Sequence, residues 1–141
     1  MHVWRISEHL ELDGHGGYLY PGRWNGGGTH VVYTAEHSSL ALLEVLVQFE
    51  EGDLPPPYQL LQIAVPDGLE THRFAGPLPS IADSRAWGDA WLRTGRTAVA
   101  RVPAAVAPAA YNLLINPAHP DAGAIRLVRH GRYEWDPRLF D

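Results

Sequence analysis

The chain has 141 residues, a net charge of −5, 45% apolar and 19% charged side chains, the balance of a globular protein able to bury a sizeable core within one domain over 1–141. It has no cysteine and all 11 of its basic residues are arginine, which excludes disulfides, thiolate zinc sites, a cysteine nucleophile, a Schiff-base lysine and a Walker-type phosphate loop. The basic residues are scattered, which argues against direct nucleic-acid binding. No apolar run approaches membrane-spanning length and Met1-His2-Val3-Trp4-Arg5 does not open a signal peptide, so a cytoplasmic protein is expected.

In chain order, Val3–Ile6 reads as a short strand. Glu11–Asn25 is loop-like, with Pro21 and a series of glycines that continues through Gly26-Gly27-Gly28. His30–Thr34 is β-branched and aromatic and reads as a strand. Its alternation puts Tyr33 on one face with Val31, and Val32 and Thr34 on the other. Thr34 is placed to cap the next helix, with Glu36 in its first turn. That helix is expected to run to about Glu51, stopped by Gly52 and Pro55-Pro56-Pro57. From Ser38 to Phe49 it is apolar nearly all round, which predicts a buried helix. Glu44 is the one charge in this stretch. A carboxylate there must be paired, protonated or facing a wet cavity, because a bare buried charge is prohibitively unfavourable.

Tyr58–Val65 reads as a second long strand and Gly76–Pro79 as a turn. Ala82–Leu92 reads as a helix carrying Trp87 and Trp91 on one face as core residues. Thr97–Val102 is a strand. Pro103–Pro120 holds four prolines and is expected to be mostly irregular, with a helical turn at Tyr111–Ile115. Ala124–Val128 is a strand, and the aromatic tail Tyr133–Phe140 is expected to dock on the body. Interspersed strands and helices indicate a mixed α+β architecture.

The eight histidines are dispersed without ligand spacing, so no metal is predicted. Gly14, Gly16 and Gly17 lack the strand–loop–helix context of a dinucleotide fold, which argues against a Rossmann dehydrogenase.

Trp4-Arg5-Ile6, Gly22-Arg23-Trp24-Asn25, Val32-Tyr33-Thr34-Ala35 with Leu43-Glu44 behind it, Arg101-Val102-Pro103, Asn112–Pro117 with His119-Pro120, and Asp136–Phe140 together resemble the RES family of bacterial type II toxin–antitoxin toxins, named for an arginine, a glutamate and a serine. The resemblance covers almost the whole chain. It implies a compact domain related to ADP-ribosyltransferases, with a small mixed sheet and flanking helices. It also implies consumption of NAD⁺ by breaking the nicotinamide–ribose bond through hydrolysis or phosphorolysis, or transfer of ADP-ribose to a protein. NAD⁺ is then the substrate and no cofactor is called for. The implied partner is an Xre-like helix-turn-helix antitoxin, with homo-oligomers conceivable inside that complex.

By matching positions, the resemblance puts the catalytic set at Glu44, Arg23 and Tyr33. The substrate-binding set is Arg5, Asn25, Asn112, Asn116 and the position of Ala104, where the family carries serine. That departure puts full activity in question and opens a further reading, an impaired member retained to bind its antitoxin.

Cleavage at a ribose anomeric carbon develops oxocarbenium charge. Nicotinamide in NAD⁺ leaves without a strong general acid, so the chemistry needs a carboxylate at the ribose and guanidinium groups at the diphosphate. Glu44 is the candidate carboxylate, against a structural ion pair. Arg23, in a glycine-flanked loop, is the candidate diphosphate ligand, against a solvated loop charge. Arg5 either binds phosphate or neutralises Glu44. Tyr33 either offers its ring and phenol to a ligand or is a core tyrosine. Trp24 and Asn25 also read as loop braces, and Asn112 and Asn116 as side chains holding backbone groups.

Overall fold

The computed structural model describes residues 1–50, 52, 53 and 56–140. Its elements are β1 (His2–Ser7), α1 (His15–Leu19), β2 (Val32–Ala35), α2 (Ser38–Leu46), β3 (Gln59–Ala64), β4 (Thr71–Arg73), α3 (Ile81–Thr94), β5 (Val99–Pro103), β6 (Tyr111–Ile115) and β7 (Arg126–Arg132), with 3₁₀ turns at Pro120–Ala124 and Pro137–Phe140. The seven strands form one mixed sheet in the order β4-β5-β6-β2-β1-β3-β7. The β4–β5 pair is parallel and the others are antiparallel. This is the mixed α+β domain expected from the sequence.

Period-two alternation divides the core by face. Val99, Leu113 and Ile115 join Val3, Val32, Leu61 and Ile63 in one apolar cluster. Their neighbours Ala100, Val102 and Leu114 point the other way, to Trp24, Val31 and Trp91 beneath α3. Tyr33 packs with Val31 in this second cluster, opposite Val32, as the alternation requires. A third cluster, Ile6, Ala35, Leu40, Ala41, Val45 and Ala104, lies under α2.

Helix α3 is capped at both ends. The Ser80 hydroxyl accepts from Asp83 N–H at 3.1 Å, and Gly95 closes the helix in the left-handed region at φ 61°. Trp91 is buried; its indole N–H donates to Thr97 Oγ1 at 2.9 Å, and the Thr97 hydroxyl donates to Val99 O at 2.8 Å. Trp87 packs against the same cluster. The aromatic tail is docked: Trp135 meets Phe49, Tyr58, Tyr133 and Phe140.

Four local expectations are corrected. Tyr111–Ile115 is not a helical turn but β6, hydrogen-bonded to β5 on one side and β2 on the other. A short continuous apolar run fits a fully buried strand as well as a helix. The glycine-rich loop contains α1, a five-residue helix that lacks the apolar period by which helices are read.

Helix α2 is also less buried than its composition implies. Leu40, Ala41 and Val45 are buried, whereas Leu43 is 40% and Val47 63% exposed. It ends at Leu46, after which Gln48 N–H bonds Val45 O and Phe49 N–H bonds Leu46 O in tight turns. Of the expected helix end and stop, Glu51 and Pro55 lie outside the described residues.

Finally, Thr34 does not cap α2. The N-cap is His37, whose ring accepts from Ser39 N–H at 3.1 Å. Thr34 stays in β2 and donates its hydroxyl to Leu113 O at 2.7 Å, while the Glu36 carboxylate accepts from Tyr111 N–H at 3.0 Å.

Candidate active site

The site arises from a break in the sheet. Strands β1 and β2 pair at a single position, Trp4 with Ala35. Beyond it the two strands diverge, and Arg5, Ile6 and Ser7 on one side face Tyr33 and Thr34 on the other across a cavity of about 730 Å³. Each strand keeps its outer partner, β1 with β3 and β2 with β6, so the backbone around the opening remains hydrogen-bonded. Helix α2 supplies a wall with Ala41, Glu44 and Val45. The Gly22–Trp24 loop supplies another, and Asn112 closes the cavity from β6.

Glu44 is half-buried on this wall, and its Oε1 is enclosed with no hydrogen-bond partner. Burial raises its carboxyl pKa above the ordinary value, partly opposed by the neighbouring Asn112 amide. Arg5 reaches the same cavity from β1. Burial pulls its guanidinium pKa down, with the Asp13 charge opposing that shift. Arg5 and Glu44 form no ion pair; the ion pairs among the described residues are Met1 with Asp67, His119 with Asp121, and Arg138 with Asp136. The structural neutralisation weighed for Arg5 is therefore absent from the fold.

Arg23 is not a solvated loop charge. It is half-buried, its Nη2 donates to Pro79 O at 2.7 Å, and its Nε is enclosed without a partner. The loop that carries it is built around Asn25, which is fully buried. Asn25 Oδ1 accepts from Gly22 N–H at 3.0 Å and from the Tyr33 hydroxyl at 2.5 Å, and its Nδ2 donates to Gly17 O at 2.8 Å. The Tyr33 hydroxyl in turn accepts from Trp24 N–H at 3.0 Å. Burial is the main reason that the Tyr33 phenol pKa is pushed up to about 12. The hydroxyl is thus committed to the loop, and Tyr33 presents the cavity with a ring and no acidic proton.

Five of the residues singled out from sequence meet in one place: Arg5, Arg23, Tyr33, Glu44 and Asn112 all line the cavity. Asn25 and Asn116 do not. Asn25 braces the Arg23 loop. Asn116 accepts from Ala118 N–H at 3.1 Å and directs its amide toward Leu92 O at 3.4 Å, beyond the opposite end of β6 from Asn112. Asn112 combines a lining position with a scaffold bond to Thr34 O at 3.2 Å. Ala104 is 7% exposed within the cluster under α2, and Ala105 rather than Ala104 reaches the cavity.

Ser7, Gln48 and Tyr58 also line it and were not singled out. Ser7 was within reach of the strand period, two residues after Arg5 on the same face. Gln48 follows Glu44 by four residues, one turn on. No group of three metal-ligating side chains stands together among the described residues.

Fold and site thus define a small mixed α+β domain whose parted strands border a cavity lined by two carboxylates, Glu8 and Glu44, and two guanidinium groups, Arg5 and Arg23. The RES domain model matches residues 2–136; the chain belongs to the RES domain family. It is 38% identical to the Prs ADP-ribosylating toxin of Sphingobium sp. (strain YBL2), covering 97% of this chain and 95% of that protein. It is 34% identical to the toxin Res of Pseudomonas putida (strain KT2440), covering 99% and 100%. A chain from the crystal structure of the M. tuberculosis MbcT–MbcA toxin–antitoxin complex superposes with a TM-score of 0.78 at 21% identity, covering 99% of this chain and 86% of that one, a likeness of fold.

Proposed function

We propose that this protein is the toxin of a toxin–antitoxin pair and that it destroys NAD⁺ at the nicotinamide–ribose bond. The observation that carries the reading is Glu44: a carboxylate on a cavity wall, one oxygen enclosed and unpartnered, sharing the cavity with Arg5 and Arg23, neither of which forms an ion pair among the described residues. A fold tolerates such a group where a ligand completes it.

The chemistry follows from those groups. The C1′–N bond breaks with its electron pair leaving on nicotinamide, which departs neutral, and the ribose becomes oxocarbenium-like. The Glu44 carboxylate accepts from a ribose hydroxyl and places negative charge beside that cation. Arg5 and the free N–H groups of Arg23 hold the diphosphate, and the fixed fork geometry of guanidinium suits it. An acceptor oxygen, from water, phosphate or a protein side chain, then bonds C1′ and releases its proton. Tyr33 fixes the Arg23 loop and offers its ring to the ligand.

Two observations favour narrower variants. The relative named as an ADP-ribosylating toxin favours transfer of ADP-ribose to a protein. Ala104, where the resemblance calls for serine, favours an impaired member that binds its antitoxin without turnover. One experiment separates the three. Purified protein is incubated with NAD⁺ labelled on the adenosine, with and without phosphate and with and without bacterial extract. Label in free ADP-ribose or its phosphorylated form supports the NAD⁺-degrading reading, label on protein supports transfer, and no nicotinamide release supports the impaired reading. Nicotinamide release by Ala104→Ser but not by the parent protein would locate the impairment at that position.

A further inference from the structure

We propose that α3 is the positioning element of this site: Arg85 and Asp89, neither of which lines the cavity, clamp the Gly22–Gly26 backbone and so fix where the Arg23 guanidinium meets its ligand. The inference rests on the proposed use of Arg23 at the NAD⁺ diphosphate.

The loop from Gly22 to Gly26 has no regular secondary structure of its own beyond a bridge between Gly22 and Asn25. Its attachment to α3 is made at both ends. Arg85 Nε donates to Gly22 O at 2.8 Å. Gly26 N–H is shared by the two Asp89 carboxylate oxygens at 3.0 and 3.1 Å. Both bonds are charge-assisted, so each is stronger than a neutral loop contact.

Between them the helix lies directly against the loop backbone. A Cβ at Gly88 would stand 1.7 Å from Trp24 O, so only glycine permits this approach. A fourth tie runs through Arg23 itself, whose Nη2 bonds Pro79 O, the residue before the Ser80 cap. One edge of the guanidinium is thereby anchored to the start of α3 while the loop on either side is held by its second and third turns.

Ordinary helix–loop packing accounts for the burial of Trp24. It does not call for two ionised side chains, each committed to a loop backbone group flanking the same arginine. A guanidinium that recognises a diphosphate bidentately must be held closely in angle and position, and displacement by about an ångström costs binding steeply.

The test compares wild type with Asp89→Ala, Asp89→Asn and Arg85→Met. It reads NAD⁺ kinetics by nicotinamide release and hydrogen exchange at the Gly22 and Gly26 amides. Asparagine keeps an acceptor for Gly26 N–H and alanine does not. Expected for Asp89→Ala is a KM for NAD⁺ raised about tenfold with kcat within about twofold, together with faster exchange at Gly26. Asp89→Asn recovers most of both, and Arg85→Met raises KM in the same way. Unchanged KM in a folded Asp89→Ala with accelerated exchange overturns the clamp, and so does unchanged exchange at both amides. If wild type releases no nicotinamide, the NAD⁺ reading fails on its own, and exchange together with binding of inorganic pyrophosphate decides the clamp: unchanged pyrophosphate affinity in Asp89→Ala overturns it, and weakened affinity restored by Asp89→Asn supports it.

Discussion

Arg23 and Tyr33 are tied into the fold by hydrogen bonds, whereas Glu44 Oε1 has no partner. Tyr33 accepts from Trp24 N–H and donates to Asn25, so Tyr33→Phe leaves a buried amide oxygen and a backbone N–H short of a partner. The expected loss is about 1–3 kcal/mol of stability, read as a lower Tm, with NAD⁺ turnover falling through a raised KM. A kcat loss at unchanged KM would mean that the phenol acts in the chemistry. Arg23→Ala removes a single bond to Pro79 O and is expected to weaken NAD⁺ use by at least about tenfold with little change in Tm. A large fall in Tm at unchanged specific activity would return Arg23 to a structural role.

Glu44 gives a pH dependence with a definite sign. Burial raises its pKa, and the proposed chemistry needs the carboxylate. Turnover should therefore be full at alkaline pH and fall as pH drops through the raised Glu44 pKa, with a midpoint higher than that of an unperturbed glutamate. A pH–rate profile with its acid limb at or below the pKa of an unperturbed glutamate, or with none, contradicts this.

The elements show which parts of the design a sequence reveals. Strand alternation at Val31–Thr34 predicted the facing of Tyr33, and the helix read over Ala82–Leu92 is present as α3, Ile81–Thr94. The β6 run failed for a physical reason: Tyr111–Ile115 is paired on both edges and has three consecutive buried residues, Leu113, Leu114 and Ile115, so the solvent-facing alternation that marks a strand is missing. Helix α1 buries none of its residues, and Gly14 at its N-cap and Gly17 within it lie close against His30 and Val31, so no apolar period marks it in the sequence. The loop–helix contacts were equally invisible, because Gly22 meets Arg85, Trp24 meets Gly88 and Gly26 meets Asp89 only in three dimensions.

At Gly22 an added Cβ would lie 2.4 Å from the Tyr33 hydroxyl oxygen and 2.8 Å from Asn25 Oδ1. Gly22→Ala must therefore displace the brace. The expected outcome is a Tm lowered by the equivalent of about 1–3 kcal/mol and a raised KM for NAD⁺. Wild-type values for both would show that the loop tolerates the shift.

At the scale of the whole molecule, the one-position pairing of β1 with β2 turns a continuous sheet into a cleft. The motifs that carried the resemblance were legible one by one, but only the fold shows that Arg5, Arg23, Tyr33, Glu44 and Asn112 border one cavity and that Asn25 and Asn116 serve as scaffold. A site organised around an unpartnered, half-buried acid also bears a stability cost. Because the folded-state pKa of Glu44 is raised, ionising it opposes folding. The penalty is present in full above the folded pKa and vanishes as pH falls below the unfolded value.

Replacing Glu44 with glutamine separates function from stability in a single variant. At neutral pH, Glu44→Gln is expected to raise Tm, with the gain shrinking as pH falls through the Glu44 titration, and to lower nicotinamide release from NAD⁺ by about 10²-fold or more. A Glu44→Gln protein that releases nicotinamide at the wild-type rate, or that loses stability together with activity, would contradict the account.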